Sequence, residues 1–258
     1  MLHITPIPAF DDNYIWLLSA DGHDGCAVVD PGDEDPVLER LASEGLRLDV
    51  ILITHKHGDH VGGVEALKAR WPDAVVYGPA NEPIGLLDHR LNDGDEVDLG
   101  PLGRYRVMDV PGHTEGHIAY HGKGVLFCGD TVFAGGCGRV FSGTFEQLSD
   151  SLARIATLPP ETLLYCAHEY TLDNLGFARW VEPHNPDLDE REAADRAARE
   201  RGEPTVPSTL AVELATNPFL RQDQPAVIAA AEQWAGEALP GRHAVFRAIR
   251  SWKDREYD

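Results

Sequence analysis

The segment ILITHKHGDHVGG, residues 51–63, places three histidines and an aspartate within six positions. His55, His57, Asp59 and His60 read as HxHxDH. All four side chains can offer a lone pair to a metal ion, and no thiol is among them. On an extended segment, residues i and i+2 point to the same side, so His55 and His57 can reach one ion together. Asp59 and His60 then fall in the turn that opens the next helix and aim elsewhere. That division suits two neighbouring ions better than one. Imidazole with carboxylate favours Zn²⁺, Fe²⁺ or Mn²⁺ in a hydrolytic or oxidative site.

Other candidates stand at matching places. VMDVPGHTEGH puts His113 after one strand-like run, VLFCGDT puts Asp130 after another, and LLYCAHEY puts His168 after a third. Ligands delivered from several strand ends to one edge are how an α/β sheet builds a site. His3, His23, His89, His117, His121, His184 and His243 lack that context. They are expected on the surface or behind the ligands, with His117 nearest the site.

The elements that must position these residues are legible from periodicity and punctuation. Strands are predicted at residues 2–7, 14–18, 26–29, 50–53, 75–77, 105–110, 118–120, 125–128 and 163–166, separated by GD and PG turns. Helices interleave at 36–44, 61–70 and 145–157. Past residue 170 the pattern turns helical, with segments at 190–201, 208–215, 224–234 and 242–255. Val245, Phe246, Ile249 and Trp252 give the last of these an apolar stripe. The expectation is an α/β domain over residues 1–170 followed by a small helical domain over 171–258.

Composition narrows the partners. The 258 residues fit one large domain with a smaller appendage. Acidic residues outnumber basic ones 43 to 22, for a net charge of −21. Such a field opposes a polyanionic nucleic acid. Cys26, Cys128, Cys137 and Cys166 are scattered, with no CxxC pair, and are expected as reduced, buried thiols. The start of the chain has no basic and apolar leader, and no run of about 18 apolar residues could span a membrane. A soluble, cytoplasmic monomer is expected.

The words THxHxDH, PGHTxGH and GDT, with a late histidine after them, resemble the metallo-β-lactamase superfamily over the first two-thirds of the chain. The resemblance implies an αββα sandwich with a dinuclear metal site at one edge of its two sheets. It implies that His55, His57 and His113 bind one ion and that Asp59, His60 and His168 bind the other. Asp130 would bridge them. Longer words narrow the likeness: IPAFDDNYIW (7–16), VVDPGD (28–33), FAGGCGR (133–139), HEYTLDNLGFA (168–178), TNPFLR (216–221) and FRAIRSWKD (246–254). Together they resemble glyoxalase II, the hydroxyacylglutathione hydrolases, over nearly the whole chain.

That family hydrolyses S-D-lactoylglutathione to D-lactate and glutathione, the second step of methylglyoxal detoxification. By resemblance, Arg139 contacts the glutathione moiety, Tyr170 meets the substrate near the thioester, and Arg250 and Lys253 hold the glycine carboxylate. Residues 250 and 253 are three apart, so they share a helix face. There are departures. Lys56 stands where a histidine is frequent, Phe141 stands where some members have a substrate-contacting tyrosine, and the closing KDREYD is unusual.

The chemistry agrees with the resemblance. A thioester carbonyl needs a strong nucleophile at neutral pH, and divalent ions, zinc above all, supply one by lowering the pKa of bound water to about 7. Asp59 would both ligate and orient that nucleophile. A thiol of pKa about 8.5 leaves readily as thiolate, so no strong general acid is required. The sequence holds no GxSxG nucleophile elbow. The alternative is a mononuclear-iron, persulfide dioxygenase-like member acting on glutathione persulfide. A lactonase or lactamase would have no use for a glutathione-binding tail, and the acidic charge disfavours a nuclease. Glutathione conjugates are themselves anionic, so Arg139, Arg250 and Lys253 must make a positive pocket in a negative field.

Overall fold

The computed structural model describes residues 1–257, and the chain gathers into two compact units. The first comprises Met1–Val110 and Thr114–Gly129, and the second Pro111–His113 with the chain from Asp130 onward.

In the first unit the chain runs β1 (Leu2–Ala9), β2 (Asn13–Ala20), β3 (Gly25–Val29), α1 (Asp35–Glu44), β4 (Arg47–Leu52), α2 (Gly58–Val61), α3 (Val64–Arg70), β5 (Val75–Pro79) and β6 (His89–Leu91). The six strands form one sheet in chain order. β1, β2 and β3 pair antiparallel, and β3, β4, β5 and β6 pair parallel. All of β3 is buried, the continuous apolar reading expected of a strand covered on both faces. Pro6 and Pro8 sit on the edge strand β1, where a missing N–H costs no ladder bond. Val37 and Leu41 of α1 and Val64 and Leu67 of α3 pack with Val28, Ile51, Ile53 and Val76 of the sheet region into one core.

An antiparallel ladder comes next: β7 (Glu96–Asp98), β8 (Arg104–Asp109), β9 (Ile118–Gly122) and β10 (Val125–Gly129). Tyr120 of β9 donates its hydroxyl to the carbonyl of Ile53 just past β4, at 2.8 Å. That bond ties the ladder to the first sheet beside the HxHxDH segment.

The second unit holds the short hairpin β11 (Val132–Phe133) and β12 (Gly136–Cys137), then α4 (Phe145–Ile155). Thr144 and Gln147 close a capping box at the start of α4. β13 (Leu163–Cys166), α5 (Thr171–Val181), α6 (Pro186–Glu200), β14 (Ser208–Thr209), α7 (Leu210–Thr216), α8 (Pro225–Ala235) and α9 (Arg242–Trp252) complete it. α9 runs on into a wider π-turn at Lys253–Tyr257. Phe177, Phe219, Phe246 and Trp252 pack ring against ring, with centroids 5.6–5.9 Å apart. Among the described residues no helix is long and apolar enough to cross a membrane.

The structure departs from periodicity in three ways. The helix predicted at 61–70 is two pieces, α2 and α3, broken at Gly62–Gly63. A Cβ on Gly62 would stand 2.5 Å from the Gly32 carbonyl, and one on Gly63 2.6 Å from the Glu34 nitrogen. The two glycines therefore let this turn press against the VVDPGD loop. Helix α5 has no sequence forecast because it is buried around much of its girth and interrupted by Gly176. A Cβ there would meet the Tyr257 hydroxyl at 2.0 Å. Strands β6, β7, β11, β12 and β14 are two or three residues long, too short for a period-2 signal.

Candidate metal centre

β4 ends at Leu52, burial continues through His55, and His57 is still extended, with φ −64° and ψ 148°. Asp30, at the end of β3, organises the residues just past β4. Its Oδ1 accepts the Thr54 N–H and its Oδ2 the Thr54 hydroxyl, each at 2.7 Å. Having donated to Asp30, the Thr54 hydroxyl accepts from His55 Nδ1 at 3.1 Å. The lone pair of His55 is then on Nε2, which lies 3.0 Å from His57 Nδ1. That separation suits two nitrogens each about 2.0–2.1 Å from one zinc ion. Asp30 Oδ2 also lies 3.1 Å from His60 Nδ1. A carboxylate behind a ligating imidazole fixes its tautomer and raises its basicity.

His113 is oriented from behind by a backbone carbonyl. His113 Nδ1 donates to the carbonyl of Arg139 at 2.8 Å. Its Nε2 lies 3.4 Å from Asp130 Oδ2. The other oxygen, Asp130 Oδ1, lies 3.4 Å from His168 Nε2. The Asp130 carboxylate thus turns one oxygen to each of two histidines, the disposition a bridging ligand requires. Asp59 is partly open, its side chain 39% exposed, with Oδ2 accepting from Asn13 Nδ2 at 3.1 Å.

Two groups of donor atoms result, each with all members within 4.8 Å of one another. His55, His57, His113 and Asp130 form one, and Asp59, His60 and His168 the other. The donor set is nitrogen and oxygen throughout, which fits two divalent ions of the zinc, iron or manganese type.

The loop between Asp130 and Arg139 is held by its backbone. Asn217 Nδ2 donates to the carbonyls of Phe133 at 3.2 Å and Gly136 at 2.9 Å. Asn174 donates to Ala134 at 3.1 Å, and Arg250 Nη1 to Cys137 at 3.1 Å. The Gly135 N–H reaches Glu213, which is fully buried and paired with Arg191 at 2.6 Å. The words TNPFLR and HEYTLDN therefore position a loop that begins at a metal candidate and ends at a substrate candidate.

The four substrate candidates differ in burial and company. Tyr170 stacks on His168, with ring centroids 4.8 Å apart and planes 7° from parallel. The Arg139 side chain is 55% exposed, its Nε 3.8 Å from Asp254 Oδ1. Arg250 is only 1% exposed, over the ring of Phe219 at 5.2 Å. Lys253 is buried, with Nζ 3.9 Å from Asp173 Oδ2. Phe141, at the position of the missing tyrosine, is 66% exposed and meets the His113 ring edge-on at 5.2 Å.

Some functional neighbours escape a reading by residue type. Asp30 and Asn13 sit inside the words VVDPGD and IPAFDDNYIW, and only their contacts reveal why. His117 is fully buried and stacks on His55 with centroids 4.6 Å apart, an orienting role behind the ligands. Lys56 lies 3.5 Å from the buried Glu82, whose other oxygen takes the Gly116 N–H at 3.0 Å. The residue that departs from the histidine pattern thus helps tie the segment ahead of His57 to the segment ahead of His117.

The thiols stand outside this chemistry. All four are buried, and none is in a disulfide. Burial pushes Cys26 and Cys166 up to about 12 and Cys137 up to about 11, so at neutral pH they are thiols and not nucleophilic thiolates. A disulfide reagent is expected to modify all four in denaturant and none within minutes in the native protein. Absorbance of the released aryl thiolate measures this, and rapid native labelling would contradict it.

Comparison with known proteins bears on the whole chain. Residues 9–168 match the model of the metallo-beta-lactamase superfamily, and residues 169–256 match the hydroxyacylglutathione hydrolase C-terminus. A hydroxyacylglutathione hydrolase of Alkalilimnicola ehrlichii is 55% identical over 99% of this chain and 100% of its own length. One of Aeromonas salmonicida is 51% identical over 98% of this chain and 99% of its own. Among solved structures, ETHE1 from Myxococcus xanthus aligns with a TM-score of 0.69 over 100% of this chain and 93% of its own, at 24% identity. At that identity the likeness shows the fold alone, the metallo-β-lactamase fold with a helical C-terminal region.

Proposed function

Since the chain belongs to the hydroxyacylglutathione hydrolases, within the metallo-β-lactamase superfamily, we propose that it hydrolyses S-D-lactoylglutathione and related 2-hydroxyacylglutathiones to the 2-hydroxy acid and glutathione. The observation that carries this is the match over residues 169–256. The metal-binding part alone belongs to a superfold that hosts many reactions. The two family matches meet at 168 and 169, which supports a division of labour near residue 170. The metal chemistry falls to residues 1–170 and the glutathione moiety to 171–258. No cysteine is in a disulfide, which suits a reducing compartment, so a cytoplasmic location is part of the proposal. A single chain carries every residue invoked, so the proposed reaction needs no second subunit.

His55, His57, His113 and Asp130 would hold one ion, and Asp59, His60 and His168 would hold the other, with Asp130 placed to serve both. The ions supply Lewis acidity and a water-derived nucleophile at neutral pH. Asp30, through Thr54 and His60, fixes the imidazoles so that little reorganisation is needed on the way to the transition state. Asp59, the open carboxylate, orients the nucleophile. Tyr170, stacked on His168, lies beside the reacting carbonyl, and Arg139, Arg250 and Lys253 bind the peptide portion of the substrate. The departing sulfur is a good leaving group, so the chain needs no acid to protonate it.

The test is the loss of thioester absorbance with S-D-lactoylglutathione on protein whose metal content has been measured. Turnover is expected to vanish with chelator, to return with Zn²⁺, and to consume no oxygen. Metal-loaded protein that leaves the thioester intact would overturn the proposal. Oxygen uptake with glutathione persulfide would instead favour the single-iron alternative, which the curated relatives disfavour.

A further inference from the structure

The three cations assigned to the substrate have acidic company. Asp254 stands next to Lys253 in the turn that closes α9. Its Oδ1 accepts from Arg250 Nε at 3.2 Å and from Arg250 Nη2 at 2.9 Å. The same oxygen lies 3.8 Å from Arg139 Nε. One carboxylate oxygen is therefore shared by both arginines. Lys253 has its own acidic neighbour, Asp173. Burial is uneven across the group: Arg250 is nearly sealed, whereas the Asp254 side chain is 31% exposed. Dissolved anions can approach this cluster from the Asp254 and Arg139 side.

Resting on the substrate reading above, we propose that Asp254 is a resident carboxylate in the pocket for the anionic end of the substrate. It holds Arg250 and Arg139 in place and, by its charge, limits their affinity for an incoming carboxylate. It is a positioning and specificity-determining residue and not a catalytic one. A buried guanidinium needs a counter-charge, and Asp254 supplies one before substrate arrives, so the pocket is assembled in advance. The same negative charge repels the substrate carboxylate. Product glutathione keeps the carboxylates of the thioester, so an unopposed trio of cations would retain product as strongly as substrate. A resident anion favours release.

Asp254→Asn keeps an acceptor oxygen for Arg250 and removes the charge. Its KM for S-D-lactoylglutathione is expected to fall about five- to tenfold, with tighter inhibition by glutathione and no gain in kcat. Asp254→Ala removes the charge and the acceptor together, so Arg250 loses its hold and KM rises. A purely structural role would raise KM in both variants, and that result would overturn the proposal. S-D-lactoyl-N-acetylcysteamine, a thioester without carboxylates, is the control, and Asp254→Asn is expected to leave its kcat/KM unchanged. Wild-type protein that hydrolyses this neutral thioester as efficiently as S-D-lactoylglutathione would bring down the substrate reading itself. Wild-type preference for the glutathione thioester, with an unchanged or higher KM in Asp254→Asn, would bring down the resident-carboxylate proposal alone.

Discussion

His57→Ala is expected to lower turnover of S-D-lactoylglutathione by at least about a thousandfold, because the ions contribute several kcal/mol of transition-state stabilisation and each 1.4 kcal/mol is a factor of ten. His57 stands 3.0 Å from its neighbour His55 through ring nitrogens, and alanine leaves one donor where two converge. The group of His55, His57, His113 and Asp130 would fall to three. Metal analysis should show at most one ion per chain where the wild type holds two. The fold should survive, because His57 lies past the end of β4 and outside the core of Val28, Ile51 and Val76. Near-wild-type activity in metal-depleted buffer would refute the ligand role.

Lys253→Ala and Arg250→Ala are expected to raise KM by about 10- to 100-fold, the worth of one charge-assisted hydrogen bond of roughly 1.5–3 kcal/mol, while kcat falls far less. In the proposed reading these groups hold a remote part of the substrate whose charge does not change in the transition state, so they act on binding. The two variants should differ in stability. Arg250 is 1% exposed and ties α9 to the Cys137 carbonyl and to Asp254, so its loss leaves acceptors behind and should lower Tm measurably. Lys253 makes a looser 3.9 Å approach to Asp173, and its removal should cost less. An unchanged KM in Lys253→Ala would remove that residue from the substrate pocket. Initial-rate kinetics over a range of substrate concentrations and a thermal melt distinguish these outcomes.

Much of this was legible without coordinates. HxHxDH after a buried strand announced a metal site, because i, i+2 spacing on extended chain aims two imidazoles one way. The strand-end positions of His113, Asp130 and His168 added to it, because a strand must stop where its edge opens to a site. Strands β1 to β5 and helices α1, α4 and α6 to α9 were readable because each is long enough for its period to repeat. The two-residue strands and α5 were not. A two-residue strand contains no period, and a helix buried around much of its girth has no polar face to contrast with the apolar one.

What the sequence determined by itself is therefore the inventory: which side chains can bind metal, which cations can meet an anionic substrate, and which segments are strands or helices. Those properties belong to residue type and short-range spacing. Tertiary structure decided how the inventory is sorted. It gave Asp130 one oxygen for each of two histidines, and put Asp30 behind both Thr54 and His60. It also placed the Asp254 carboxylate between Arg250 and Arg139, residues more than a hundred positions apart. Such pairings depend on chain crossing and burial, where a few ångströms separate an ion pair from two solvated charges. No local pattern in the sequence encodes that distance.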